Sequence, residues 1–375
     1  MHHWLLLLAG SASADSAPRL RVEGSLLIDP YTNEPISLHG VNWWSGYFQS
    51  DDGLHLETQL PPANLVRLVG ILWDNGNPDT DCRTDDASHG YLSDKCVRHL
   101  DNAVRACQRH DIWVIITCRA AEAAGDGFPH DVFHDPDLVE QYETMWRWVA
   151  ERYSSWEWIA GYEIMSEPRT KETPQDEVTA FYQRLCTAVH EVDAATPCVV
   201  GPAPYYKVWQ MDEGTLLDDR NVIYTFDFFH PWSYITNETG AVGNGASYPG
   251  DYACNDVFKG WVDKMCPGEP DKMFHVDVEF FLSLLLQFPL KLQEVRPVPV
   301  LCNQWGVKHL VPEELGRREY VRELATLFRD YGIHSTYWTW RSYHKDQWMG
   351  FEIVYYDQFD DLVISELTAV WERNR

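Results

Sequence analysis

The chain has 375 residues, 45% of them hydrophobic and 14% aromatic, with a formal net charge of −27. This length can bury a large core and permits either two domains or one α/β barrel of about 250 residues or more. A surface this acidic repels nucleic acid and anionic membrane, which excludes both as main partners.

Residues 1–14 read as a secretory signal peptide: a short apolar run from Trp4 to Gly10 precedes a small-residue cleavage pattern at Ala12 and Ala14, although no Lys or Arg comes before it. A secreted, extracellular protein with one domain over residues 15–375 is therefore expected. No membrane span is expected, because the longest later apolar stretch, Phe280 to Phe288, falls short of the ~18 residues required. In an oxidising compartment some of the nine cysteines should pair. Cys82 and Cys96 bracket one polar loop and Cys254 and Cys266 another, and these are the expected bridges. Cys118 and Cys302 sit in apolar runs and read as buried thiols. No two cysteines have Cys-x-x-Cys spacing, so no structural zinc is expected, and no other metal or cofactor is called for. Asn237-Glu238-Thr239 is a glycosylation sequon if its loop is exposed.

Leu20 to Leu27 alternates and runs into the turn cluster Asp29 to Asn33, which predicts a hairpin able to plug a barrel floor. Strands are predicted at Pro35–Asn42, Ala63–Val69, Ile112–Cys118, Trp158–Met165, Pro197–Gly201, Asn221–Phe228, Val298–Cys302 and His334–Trp340. Between them, helices are predicted at Asp94–His110, at Pro136–Tyr153 with proline in its first turn, at Pro174–Asp193 capped by Thr173, near Asp277–Leu292, and at Pro312–Tyr331, with a last one at Asp361–Glu372. An aromatic loop follows Trp43, a polar loop spans Asp74–Ser93, and an insertion rich in Gly and Asn runs from about Ser233 to Pro270. Near-continuous apolar strands alternating with helices are the pattern of a parallel sheet covered on both faces. About eight such units, with no Gly-x-Gly-x-x-Gly after a strand, predict a (β/α)8 TIM barrel with an N-terminal β-hairpin.

Chemistry in such a barrel sits at the C-terminal lip of the strands. Glu167 stands there, since Pro168 has no amide hydrogen and must end the fourth strand. A carboxyl held half out of water at that place can have a raised pKa and donate a proton. The other lip residues are Trp43, Trp44, Arg67, Arg119, Asp227, Trp232, Gln304, Trp305, Trp338 and Trp340. Tryptophans at a lip suit stacking on the apolar faces of sugar rings, and Trp338 and Trp340 are spaced to share one strand face. Glu163 points inward by alternation and is expected to pair with Arg67 or Arg119.

Nearly the whole mature chain resembles glycoside hydrolase family 5, the cellulase and mannanase family of (β/α)8 barrels. Pro35-Ile-Ser-Leu-His-Gly-Val-Asn42 resembles its first strand, and Asn64-Leu-Val-Arg67 its second, with the active-site arginine. Gly161-Tyr-Glu-Ile-Met-Ser-Glu-Pro168 resembles the Asn-Glu-Pro segment of the acid/base glutamate. Val298-Pro-Val-Leu-Cys-Asn-Gln-Trp-Gly306 resembles the strand ending in the nucleophile, and Tyr337-Trp-Thr-Trp-Arg341 the last strand with its stacking tryptophan. The resemblance implies retaining hydrolysis by two carboxylates about 5–5.5 Å apart.

The departures change that expectation. Gln304 occupies the nucleophile position, Ser166 replaces the asparagine, Arg119 replaces the third-strand histidine, and Asp227-Phe228-Phe229 replaces His-x-Tyr. A neutral amide is a poor nucleophile and cannot stabilise an oxocarbenium ion as an anion does. The first expectation is a secreted family-5-like protein that binds a β-linked glycan or glycoside through Glu167, Arg67, Arg119, Ser166 and the tryptophans, with ordinary retaining hydrolysis lost. A second is an active glycosidase in which Glu167 is the acid and Asp227 the base of an inverting reaction, which requires a separation of ~6.5–9.5 Å. A third is a cell-surface structural or interaction protein using its aromatic lip and the insertion from Tyr234 to Pro270.

Overall fold

The computed structural model describes residues 17–44, 60, 62–73, 81–120, 133–170, 173–237, 245–340, 350–355 and 358–372. Eight parallel strands close into a barrel: β1 His39–Trp44, β2 Leu65–Trp73, β3 Trp113–Ala120, β4 Ile159–Glu163, β5 Cys198–Val200, β6 Val222–Phe228, β7 Val300–Trp305 and β8 His334–Tyr337, with β8 pairing back onto β1. The (β/α)8 expectation holds. Among the described residues the helices around it are α1 Asp94–Gln108, α2 Pro136–Tyr153, α3 Gln175–His190, α4 Val278–Gln287, α5 Pro289–Val295, α6 Arg317–Asp330 and α7 Asp361–Trp371, together with short turns of helix in the loops. No helix among the described residues is long and apolar enough to cross a membrane.

Two local expectations are corrected. Thr173 does not cap α3. Its hydroxyl meets that of Thr170, and the helix begins after Pro174 without a side-chain cap. The helix expected near Asp277–Leu292 is two helices, because Phe288, which precedes Pro289, leaves helical geometry at φ −121° and ψ −82°. Both expected disulfides, Cys82–Cys96 and Cys254–Cys266, are present. Cys118 and Cys302 are buried thiols.

The barrel interior is layered. Its floor is a separate apolar cluster in which Leu20 and Leu27 meet the inward side chains Leu65, Trp113, Ile115, Val199, Ile223 and Leu301. Leu20 lies beside and Leu27 within the hairpin formed by Arg21–Glu23 and Leu26–Ile28, so this element plugs the barrel as expected. The larger core lies between the outward strand faces and the helices. Polar side chains are therefore left to the upper layer and the lip. The second disulfide and a short ladder between Gly250–Ala253 and Met273–Val276 order part of the insertion that leans over this lip.

Candidate active site

The upper layer of the barrel is built around Arg67. Its Nε and Nη2 donate to the two carboxylate oxygens of Glu163 at 2.5 and 2.6 Å, and both side chains are 0% exposed. Nη1 donates to Asn42 at 2.9 Å and Nη2 also to Ser166 Oγ at 2.7 Å. Thr117 and Asn303 add donors to Glu163 at 3.1 and 3.2 Å. A forked guanidinium and a carboxylate matched in this way compensate each other's loss of water. The pairing of Glu163 with Arg67 follows from strand alternation. The burial corrects one expectation, because Arg67 holds the site from beneath and presents no surface to a ligand.

Above this platform, Glu167, Gln304 and Asp227 meet. Glu167 has φ +47°, a left-handed geometry rarely adopted by side chains with a Cβ, and Pro168 follows. Gln304 arrives through an irregularity in β7: the register against β6 shifts between Cys302 and Gln304, so the consecutive residues Asn303 and Gln304 both reach inward. Gln304 Nε2 donates to Glu167 Oε1 at 3.0 Å and to Asp227 Oδ1 at 3.4 Å, and the side chain is 5% exposed. Asp227 faces Gln304 across the ladder, and its carboxyl lies close enough to Glu167 for each to shift the other's titration.

Two carboxyls in contact cannot both ionise easily, and their surroundings divide the roles. Burial, the charge of Glu167 and the bond to it hold Asp227 well above its ordinary value. Its Oδ2 is buried and receives no donor among the described residues, which leaves a charge there uncompensated. Burial also pushes Glu167 upward, but the bond from Asp227 and the charges of Arg119, Lys207 and Arg67 outweigh it and lower its carboxyl to about 2. The expectation of a raised Glu167 pKa is thus overturned by partners contributed from other strands. The inverting expectation requires ~6.5–9.5 Å between the two carboxyls, and here both lie within reach of the one Gln304 Nε2, at 3.0 Å for Glu167 and 3.4 Å for Asp227.

Residues 30–282 match the family model described as cellulase, glycosyl hydrolase family 5. The chain belongs to glycosyl hydrolase family 5. Among curated proteins, endoglucanase C of Acetivibrio thermocellus is 19% identical over 355 residues, covering 90% of this chain and 98% of the relative. Among solved structures, a hyperthermophilic endo-β-1,4-glucanase in complex with substrate superposes with a TM-score of 0.63 at 14% identity, covering 88% of this chain and 96% of that one. A β-glucanase from Saccharophagus degradans in complex with cellotetraose gives 0.62 at 15% identity, covering 96% and 95%.

Within the family-5 barrel the expected site residues separate into two groups. Glu167, Gln304, Asp227 and Ser166 converge at the lip, with Arg119 5.4 Å over the Trp44 ring and Trp44 edge-on to Trp338 at 5.9 Å. Trp232, beyond β6, lies edge-on to Phe229. Trp43, Trp305 and Trp340 do not join them. Trp43 is buried on the strand face opposite Asn42, Trp305 packs at 0% exposure against Phe328 and Tyr337, and Trp340 is 1% exposed. Trp338 and Trp340 share no strand face, because β8 ends at Tyr337. The remaining aromatic loop after Trp44 lies outside the described residues.

Sequence reasoning missed Lys207. It follows Tyr205 and Tyr206, both at positive φ, in the segment beyond β5. Tyr205 donates its amide to Pro168, Tyr206 donates its hydroxyl to Met165, and the Asp227 amide donates to Tyr206. Lys207 is thereby fixed beside both carboxyls. The lip rule, applied to the short fifth strand, points to this run.

The shared proton has a measurable consequence. Asp227 binds its proton more tightly in the folded chain than in the unfolded one. The folded state therefore holds more protons above pH ~4, and this contribution to stability falls as pH rises toward the raised pKa. Asp227→Asn removes it. Native stability relative to Asp227→Asn is expected to decrease as pH rises above about 4 in urea titrations. A difference that is flat or increases with pH contradicts the protonated assignment.

Proposed function

We propose that this family-5 chain binds a β-linked glycan or glycoside in the cleft at the barrel lip, and that it has lost ordinary retaining hydrolysis because Gln304 stands where the family has its nucleophile. The observation that carries this reading is the 3.0 Å bond from Gln304 Nε2 to Glu167 Oε1. An ionised glutamate only accepts, so the amide must offer its nitrogen there and has no anion to offer an anomeric carbon. The second half of the mechanism is weakened too, because a carboxyl lowered to about 2 carries no proton for a leaving oxygen near neutral pH. Binding is supported by Trp44, Trp338 and Trp232 around the cleft and by structural relatives whose complexes hold substrate or cellotetraose. We also propose export after removal of residues 1–14, which lie outside the described residues. The two disulfides favour an oxidising compartment.

The native protein is expected to give saturable heats on calorimetric titration with cello- or manno-oligosaccharides, yet to release no aglycone from aryl β-glycosides. Turnover by the native chain contradicts the loss of hydrolysis. Absence of binding to every saccharide removes the glycan reading and leaves a protein-interaction role for the lip and insertion.

A further inference from the structure

We propose that a small cavity beside Asp227 seats the carboxylate of an acidic sugar, so that the glycan bound by this chain carries uronic acid. The inference rests on the glycan-binding reading and names its substrate class. The cavity has a volume of about 20 Å³, and its lining includes Lys207, Trp209, Asp227, Trp232, Lys259 and Trp261. A single water requires ~10–15 Å³, so this space admits a small substituent while the sugar ring stays in the cleft.

The lining is rich in donors. Trp209, 6% exposed, and Trp232 each have a buried indole Nε1 without a hydrogen-bond partner. An indole nitrogen can only donate, and a buried donor left unsatisfied is costly. Lys207 is held beside Asp227 by the backbone bond from Asp227 to Tyr206, and the Lys259 ammonium lies 5.9 Å over the Trp232 ring. Each ammonium has three donors and no acceptor. Burial and the neighbouring Glu167 hold the Asp227 carboxyl toward its neutral form, and Glu167 itself is not part of the cavity lining. A neutral hydroxyl placed here would bring a hydrogen of its own that also needs an acceptor. A carboxylate brings only acceptors, is planar and small, and meets two cations in a chain whose net charge is −27.

The test uses the full chain and two ligands that differ in one group: a β-linked oligosaccharide ending in glucuronic acid, and the same molecule with that carboxyl reduced to a primary alcohol. Calorimetry is expected to give at least ~10-fold tighter binding of the acid, narrowing as salt is added. Lys207→Gln and Trp209→Phe, the latter preserving shape while removing the N–H, are each expected to reduce the ratio below ~3-fold. Equal affinity of the native chain for both ligands overturns the proposal, as does a ratio that survives in both variants. If Lys207→Gln does not fold, Trp209→Phe alone decides. Failure of the native chain to bind either ligand overturns the glycan reading itself, and this inference with it.

Discussion

Arg67→Met is expected to destabilise the chain by ~3–5 kcal/mol, measured as a fall in ΔG of unfolding in urea titrations. The reason is the isolation of Glu163. In the native chain its two oxygens accept from Arg67, Thr117 and Asn303, and neither it nor Arg67 reaches solvent. Without the guanidinium, a carboxylate remains in the barrel with two weak neutral donors, and it must either stay charged at high cost or take up a proton. Arg67→Lys is expected to recover only part of the loss, because a point charge cannot serve Glu163, Asn42 and Ser166 together as the fork does. Arg67→Met combined with Glu163→Leu should recover most of it, since no charge is then left unpaired. A loss below ~1 kcal/mol in Arg67→Met means that the pair does not hold the upper layer together. The same variant should weaken glycan binding without contacting the glycan, because Ser166 and the turn into Glu167 lose their anchor.

Gln304→Glu puts an anion where the proposed reading places the family's nucleophile, but it also sets a third carboxyl against Glu167 and Asp227. Three acids within hydrogen-bond reach ionise only in part, so the single variant is expected to remain nearly inactive. Replacing Asp227 as well, in Gln304→Glu with Asp227→Asn, removes the competing proton and supplies an amide that can donate to the new carboxylate. This double variant is expected to release aglycone from an aryl β-glycoside on the order of 10²–10³ faster than the native chain. Retention of anomeric configuration in the first product should accompany the gain. A native rate equal to that of the double variant rules out the lost-nucleophile reading. A double variant that binds glycan but stays inactive shows that the other departures from the family, Arg119 and Phe229 among them, also block the chemistry.

Much of this architecture could be read from the chain because its determinants are local. Apolar runs ended by proline or glycine give strands, and spacing at 3.6 residues gives helices. The helix Pro136–Tyr153 has the bounds its pattern predicts. The short loops between Cys82 and Cys96 and between Cys254 and Cys266 bring their ends together. The alternation of β4 alone sends Glu163 inward. These features, together with the position of Glu167 before Pro168 and of Gln304 at the end of the seventh strand, were determined by the sequence itself.

The states of those residues were not. The ionisation of Glu167 depends on Asp227, Arg119 and Lys207, which arrive from three other strand ends, and no local pattern encodes their distance. The inward turn of Gln304 and the outward burial of Trp305 follow from one shift of register against β6, a property of two strands and not of one. Tryptophans that look alike in the chain divide between cleft and core according to what the closed barrel leaves uncovered. Backbone pattern is set by neighbours in sequence. Charge state and exposure are set by neighbours in space, and only closure of the barrel chooses those.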